Sequence, residues 1–284
     1  MEAFYRTHAY LVEHTNAPVR RDLMDEIDWS DRLIGIKEKF GTDRSCLFIN
    51  MNNFYFSGHS IVDFANEFQK RGGKVLLIDQ VFKHPEWSKE LRMCYDRFPN
   101  LKIVFTGSSV MRLKEENLEL RDIAKSYNLR GFSFREFLNL QTGMKFRAYS
   151  LEEILSTHEQ IAKGVLSKVR PLDYFQDYLH HGFYPFFLEK RNFSENLLKT
   201  MNMMVEVDIL LLKQIELKYL SKIKKLLYLL AVDGPKAPNV SQLASDIQTS
   251  RATVMNYIKY LADARLINLV YPKGEEFPKK PSKI

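Results

Sequence analysis

Apolar residues in the first half of the chain come in short runs, Leu33–Ile36, Leu47–Asn50, Val75–Asp79 and Ile103–Thr106, separated by helically spaced stretches such as Ile61–Arg71 and Trp87–Arg97. Alternation of short apolar runs with helices predicts a parallel sheet with crossover helices, its strands buried on both faces. From about Phe134 to Leu220 the period changes. Leu151–Leu166, Leu172–His180 and Asn196–Leu220 carry apolar residues three and four apart, which predicts a helical lid or linker. The last pattern, Ile223–Val232, Val240–Ile247, Thr249–Ala264 and then Leu266–Tyr271, predicts three short helices and an extended hairpin arm, an all-α winged helix arrangement. Breaks at Asp233-Gly234-Pro235 and Ala237-Pro238-Asn239 separate the first two of these helices, and Ser250 or Thr249 is placed to cap the third. The expected organisation is an α/β core over 1–137, a helical lid over 138–220 and a winged helix over 221–273. The tail over 274–284, with its prolines and lysines, reads as a linker cut short.

Composition adds little but excludes much. With 45% hydrophobic and 27% charged residues, the 284-residue chain has globular composition and room for two or three cores. A net charge of +7 favours nucleic acid or an acidic surface as partner without identifying either. Cys46 and Cys94 lie far apart in apolar surroundings, which makes neither a disulfide framework nor a metal site. The first residues carry no basic segment leading into an apolar run, and no stretch has the length of apolar residues that crosses a bilayer. The expectation is a soluble, cytoplasmic protein with no membrane partner.

Candidate chemistry sits at two strand ends. Val75-Leu76-Leu77-Ile78-Asp79 places a carboxylate where doubly wound sheets bind ligands, and such a group can hold the water shell of a magnesium ion on nucleotide phosphates. One strand-helix unit later, Ile103-Val104-Phe105 ends in Thr106-Gly107-Ser108-Ser109, whose hydroxyls can orient water or touch a terminal phosphate. A nucleotide site and a pair of buried strands with turn-forming polar ends both account for this pair, and at this point both stand.

The longer runs resemble a known family. Gly72-Gly73-Lys74-Val75-Leu76-Leu77-Ile78-Asp79, Pro85-Glu86-Trp87-Ser88-Lys89-Glu90-Leu91, Pro99-Asn100-Leu101-Lys102-Ile103-Val104-Phe105-Thr106-Gly107-Ser108-Ser109, Phe132-Ser133-Phe134-Arg135-Glu136-Phe137 and Gly182-Phe183-Tyr184-Pro185 together look like prokaryotic AAA-type ATPases of the group that usually carries a C-terminal nuclease-like domain. The resemblance implies a P-loop-NTPase-like core, a helical lid and a winged helix. It implies ATP and Mg as ligands, with Asp79 on the metal side and Thr106, Ser108 and Ser109 as the polar sensor.

The departures from that family are specific. Its first core strand leads into a Gly-rich loop ending Gly-Lys-Thr, whose amides and lysine cradle phosphates. Here Leu33–Ile36 leads into Lys37-Glu38-Lys39-Phe40-Gly41-Thr42-Asp43-Arg44-Ser45, and no Gly-x-x-x-x-Gly-Lys-Ser/Thr occurs in the 284 residues. The segment is also too short for a crossover helix. Two consequences are expected as alternatives: a displaced first strand, or one sheet face without its covering helix. The family's general base is a glutamate where this chain has Gln80, which cannot accept a proton from water. Where the family places paired arginines, Glu119-Leu120-Arg121-Asp122-Ile123-Ala124 offers Asp122 and Ile123.

In the last helix Ser250, Arg251, Thr253, Asn256 and Lys259 suit contacts to DNA phosphates and base edges, with Val254, Tyr257, Ile258 and Leu261 on the packing face. Packing against the lid or another protein is the equal alternative for this module. Blander readings suffice elsewhere: His180 and His181 as lid surface and packing, Glu206 and Asp208 as a solvated helix face, Asn52 and Asn53 as caps of a turn before Phe54. The sequence therefore points to an AAA-type relative degenerate in ATP binding and hydrolysis that contacts DNA through its winged helix. The alternatives are a DNA-binding regulator or scaffold whose AAA-like core serves self-association, and a truncated fragment of an active ATPase.

Overall fold

The computed structural model describes residues 1–14, 21–31, 33–34, 43–107, 117–189, 192–271, 281 and 283–284. In chain order its main elements are α1 (Glu2–His14), α2 (Leu23–Glu26), β1 (Leu33–Ile34), β2 (Cys46–Asn50), α3 (Ile61–Lys70), β3 (Val75–Asp79), α4 (Trp87–Arg97), β4 (Lys102–Phe105), α5 (Phe134–Thr142), α6 (Leu151–Leu166), α7 (Leu172–Asp177), α8 (Phe193–Met203), α9 (Leu210–Lys213), α10 (Leu220–Asp233), α11 (Val240–Asp246) and α12 (Arg251–Asp263). By contact they fall into two units, one holding 1–15, 28–127 and 200–284, the other 16–27 and 128–199.

In the first unit four parallel strands are ordered β1-β4-β3-β2. Alternation along the strands sends Leu47, Ile49, Leu76, Ile78, Ile103 and Phe105 to one face, where they join Phe64, Phe68 and Leu91 of α3 and α4 in a single core. Cys46, Leu77 and Val104 point the other way and are 2%, 7% and 2% exposed. Of the two alternatives expected for the short connection after β1, the displaced first strand is thereby corrected. β1 pairs in register with β4, Leu33 opposite Ile103 and Ile34 opposite Val104, and the second face is closed to solvent at the central strands. Reach explains the first point: twelve residue steps from Ile34 to Cys46 extend about 40 Å, against about 14 Å for three strand spacings.

β2 lies at the sheet edge, where unpaired backbone groups need cover. Helix α1 supplies it. Phe4 packs edge-on to Phe64 at 5.0 Å, and the buried His8 accepts the Phe48 N–H at Nδ1, 3.2 Å away.

The C-terminal part of this unit has its own core. Val254, Tyr257, Ile258 and Leu261 of α12, all assigned to the packing face from the sequence, meet Ile223 and Leu226 of α10 and Leu243 and Ala244 of α11. Asn239 caps α11, accepting from the Gln242 N–H, and Ser250 caps α12, accepting from the Thr253 N–H. Of the expected hairpin arm the described residues show one antiparallel bridge, Val270 to Lys283. Residues 272–280 lie outside the described set. Ile284 donates its N–H to the Lys236 carbonyl and packs against the helical core.

The second unit is organised by aromatic rings and one arginine. Phe132 and Phe137 pack on Phe187, and a Cβ at Gly182 would meet Tyr178 and Phe137 ring atoms at 2.5 and 2.7 Å. Arg21 donates to Glu136 Oε1 at 2.9 Å and to the carbonyls of Arg130 and Gly131, while its guanidinium covers the Phe132 ring at 4.3 Å. Glu136 also closes a capping box with Ser133 at the start of α5. Residues 21–27 thus belong with 128–199 rather than with the sheet that follows them in sequence, a division the linear 1–137 and 138–220 boundaries do not express.

Candidate functional site

Parallel strands bring β2, β3 and β4 to a common carboxyl edge. Asn50 stands opposite Asp79 in register, and Thr106 follows the last residue of β4. By alternation Asn50 and Asp79 lie on the face away from Ile49 and Ile78, which pack toward α3 and α4.

The side chains form one chain of hydrogen bonds across the three strand ends. Asp79 Oδ1 accepts from the Thr106 hydroxyl at 2.5 Å, and Oδ2 accepts from Asn50 Nδ2 at 2.7 Å. Asn50 Oδ1 accepts the Asn52 N–H at 2.8 Å, and Thr106 Oγ1 accepts the Gln80 N–H at 3.1 Å. Backbone bonds run parallel to these: Thr106 N–H to the Ile78 carbonyl, Val81 N–H to the Thr106 carbonyl.

Gln80 achieves this in the left-handed region, at φ 57°. A non-glycine residue there costs about 1–2 kcal/mol, offset by the bonds that the Gln80 and Val81 amides make to Thr106. The sequence thus found Asp79, Gln80 and Thr106, and the structure brings them together. It missed Asn50. The signal was a polar residue closing an apolar strand, but its pairing with Asp79 depends on a register that one strand does not disclose. Ser108 and Ser109, expected beside Thr106, lie outside the described residues.

Chemically, the carboxylate is held by two neutral donors, one on each oxygen. Each oxygen keeps a second lone-pair direction, so Asp79 retains capacity toward a hydrated magnesium ion. A triphosphate is less well served, since the 284 residues contain no Gly-Lys-Ser/Thr loop. Gln80 offers an amide in place of a base. At the position of the expected arginine pair, Asp122 receives two hydrogen bonds from Arg92 at 3.0 Å, which holds its carboxyl below the usual range. Ile123 packs against the sheet core and Arg121 is exposed.

A separate cavity of about 470 Å³ opens between the N-termini of α3 and α4, lined by Met51, Phe56, His59, Lys83, His84 and Glu90 among others. Glu90 ties its wall together, accepting the Ile61 N–H at 2.5 Å and bonding His84 Nε2 at 3.0 Å. Asn53 caps the short turn at Phe54–Ser57, as its sequence position suggested. His180 and His181 contact each other and Phe193 in the second unit. Among the described residues no group of three or more His, Cys, Asp or Glu is spaced to hold a metal ion.

On α12, Arg251, Asn256 and Lys259 are exposed and Thr253 half-buried, while the Ser250 hydroxyl caps the helix. Nearby, Lys222 and Lys225 of α10 bond the Gln248 and Asp246 carbonyls at 2.5 and 2.6 Å, which adds positive charge next to the start of α12. Among the described residues no helix is long and apolar enough to cross a membrane.

Comparison with known proteins yields two family models and one relative, and no solved structure matches. Residues 172–283 match a domain of unknown function (DUF8612). The uncharacterized protein MJ1637 of Methanocaldococcus jannaschii is 30% identical over 206 residues, a stretch covering 70% of this chain and 43% of that protein's length. Residues 33–138 match the AAA domain family (AAA_14), so the segment similar to AAA domains begins at β1, contains the whole parallel sheet with Asn50, Asp79 and Thr106, and ends inside α5.

Proposed function

We propose that this protein is an AAA-type ATPase relative whose nucleotide site has become a structural joint, and that it works as a scaffold contacting DNA through α12. The closed network Asn52–Asn50–Asp79–Thr106–Gln80 carries the first half of the reading. It satisfies the acidic strand end with groups of the protein itself, while the phosphate loop, the base and the paired arginines of the resembled family are replaced. Asp79, oriented by Asn50 and Thr106, is the residue that would hold the water shell of a magnesium ion, which would supply charge neutralisation there. A steady-state ATPase assay with magnesium tests this: the expected outcome is no turnover above buffer, and turnover abolished by Asp79→Ala overturns it.

Support for DNA contact is the exposure of Arg251, Asn256 and Lys259 on one helix whose other side is fully packed, beside Lys222 and Lys225. Phosphate contacts by these cations and base-edge contacts by Asn256 suit a helix entering the major groove. A mobility shift on duplex DNA, abolished by Arg251→Ala plus Lys259→Ala, is expected; a shift indifferent to both substitutions removes α12 as the interface.

A further inference from the structure

Helix α1 lies outside the segment similar to AAA domains, which begins at residue 33, yet it packs onto the sheet of that segment. Its anchor is Phe4, set among Tyr55, Phe56 and Phe64 with ring centroids 5.4, 5.8 and 5.0 Å away. One turn on, His8 is 3% exposed and takes the Phe48 N–H on Nδ1 at 3.2 Å. Phe48 is the middle residue of the edge strand β2, so a ring nitrogen stands where a further strand would offer a carbonyl.

That bond fixes the state of the ring. A backbone amide only donates, so Nδ1 must present its lone pair and His8 must be neutral, with its single proton on Nε2. A second proton sets N–H against N–H inside the contact and leaves two buried donors without an acceptor. The imidazoles of His14 and His59 behave in the opposite way. Nδ1 of His14 lies 2.9 Å from the Tyr10 carbonyl, and Nδ1 of His59 lies 2.7 Å from the Tyr55 carbonyl. A carbonyl only accepts, so both exposed rings donate there and keep those bonds when charged.

The other ionisable groups around α1 do not share this dependence. Arg44, just before β2, pairs with Glu2 of α1, and Arg71 pairs with Glu67 of α3. Asp43 accepts the Ser45 hydroxyl, and the Cys46 thiol on β2 is pushed up to about 12 by burial. Arg6 and Glu13 of α1 are exposed.

We infer that α1 is a proton-sensitive strap on the edge of the sheet, latched by neutral His8 on the Phe48 amide and loosened when that ring is protonated. Loosening frees the outward amide of β2 and reopens the edge to pairing. The inference rests on neither the nucleotide-site nor the DNA reading.

An ordinary imidazole titrates at about pH 6.5, so the latch is whole above that value and weakens as pH falls below it. Between about pH 7.5 and about pH 5 the opening equilibrium of a strap that holds only the neutral ring rises about 30-fold. Hydrogen exchange of the full chain, corrected for the intrinsic rate at each pH, reads this change. Protection over α1 and at Phe48 is expected to fall by that factor, while β3 and α4 keep theirs. His8→Asn places an amide oxygen that does not titrate near the position of Nδ1, and is expected to make the protection independent of pH. His14→Asn leaves the response of the unaltered chain in place. The ring of the unaltered chain gives a reading that needs no variant: its nitrogen resonances are expected to show a bare Nδ1 and a protonated Nε2 at neutral pH. Protection that does not change with pH in the unaltered chain, an equal loss in His8→Asn, or a protonated Nδ1 at neutral pH each overturns the inference.

Discussion

Thr106 donates its hydroxyl proton to Asp79 Oδ1 at 2.5 Å and accepts the Gln80 N–H at 3.1 Å with the same oxygen. One hydroxyl therefore joins the end of β4 to the end of β3 and fixes the left-handed turn at Gln80. Thr106→Val keeps the shape and removes both bonds. The expected loss is about 1–3 kcal/mol, read as a lower urea midpoint at unchanged slope, with Thr106→Ser retaining most of the stability.

In the second unit, burial pushes the Glu136 carboxyl up, but the Arg21 guanidinium, the Ser133 backbone and hydroxyl and the Asp22 N–H outweigh it and leave the group at about 2 instead of 4.5. A depressed carboxylate contributes stability that is complete above the ordinary value and is lost as pH falls through the folded one. Stability is expected to fall as pH drops from about 4.5 toward 2. Glu136→Gln flattens that slope. Arg21→Ala costs about 2 kcal/mol, and thermal melts across this pH range check both.

Gly182 has no room for a side chain: a Cβ there would meet ring atoms of Tyr178 and of Phe137, which is buried. Gly182→Ala is expected to destabilise by about 1–3 kcal/mol. A combined Gly182→Ala plus Phe137→Leu variant, which opens the facing space, should recover part of the loss in denaturant unfolding.

Much of the architecture was open to reading in the sequence. β3 and α4 span the residues their patterns predict, and the buried face of α12 is the one its spacing assigns. These are local periodicities. Features joined over long separations were closed to such reading: His8 meets Phe48 forty residues away, and Arg21 meets Glu136 over 115. The same holds at the site. Asp79 and Thr106 announce themselves as polar ends of apolar strands, whereas Asn50 becomes their partner only through the parallel register of β2 on β3. The short link after β1 misled for a related reason, because the place of β1 beside β4 is set by strand pairing that the link's length does not disclose.

Burial pushes the thiols of Cys46 and Cys94 up to about 12. Only the thiolate reacts readily, so both are expected to be inert toward a thiol reagent near neutral pH in the folded chain. Both should react once denaturant is added. Fast labelling of either in the native state contradicts their placement on the sheet and on α4.

For the DNA reading, the slope of log affinity against log salt carries the information. Every phosphate that a cation neutralises adds about 0.9 to its magnitude. Arg251→Ala plus Lys259→Ala is expected to reduce the slope by about 2, whereas Asn256→Ala leaves the slope in place and weakens sequence discrimination.

The central claim is that Asp79 now serves the sheet edge rather than a nucleotide. Calorimetric titration of the full chain with magnesium-ATP addresses it most directly. The account predicts no saturable heat at micromolar ligand, for the unaltered chain and for Asp79→Ala alike. Saturable magnesium-dependent binding in that range, abolished by Asp79→Ala, would contradict it.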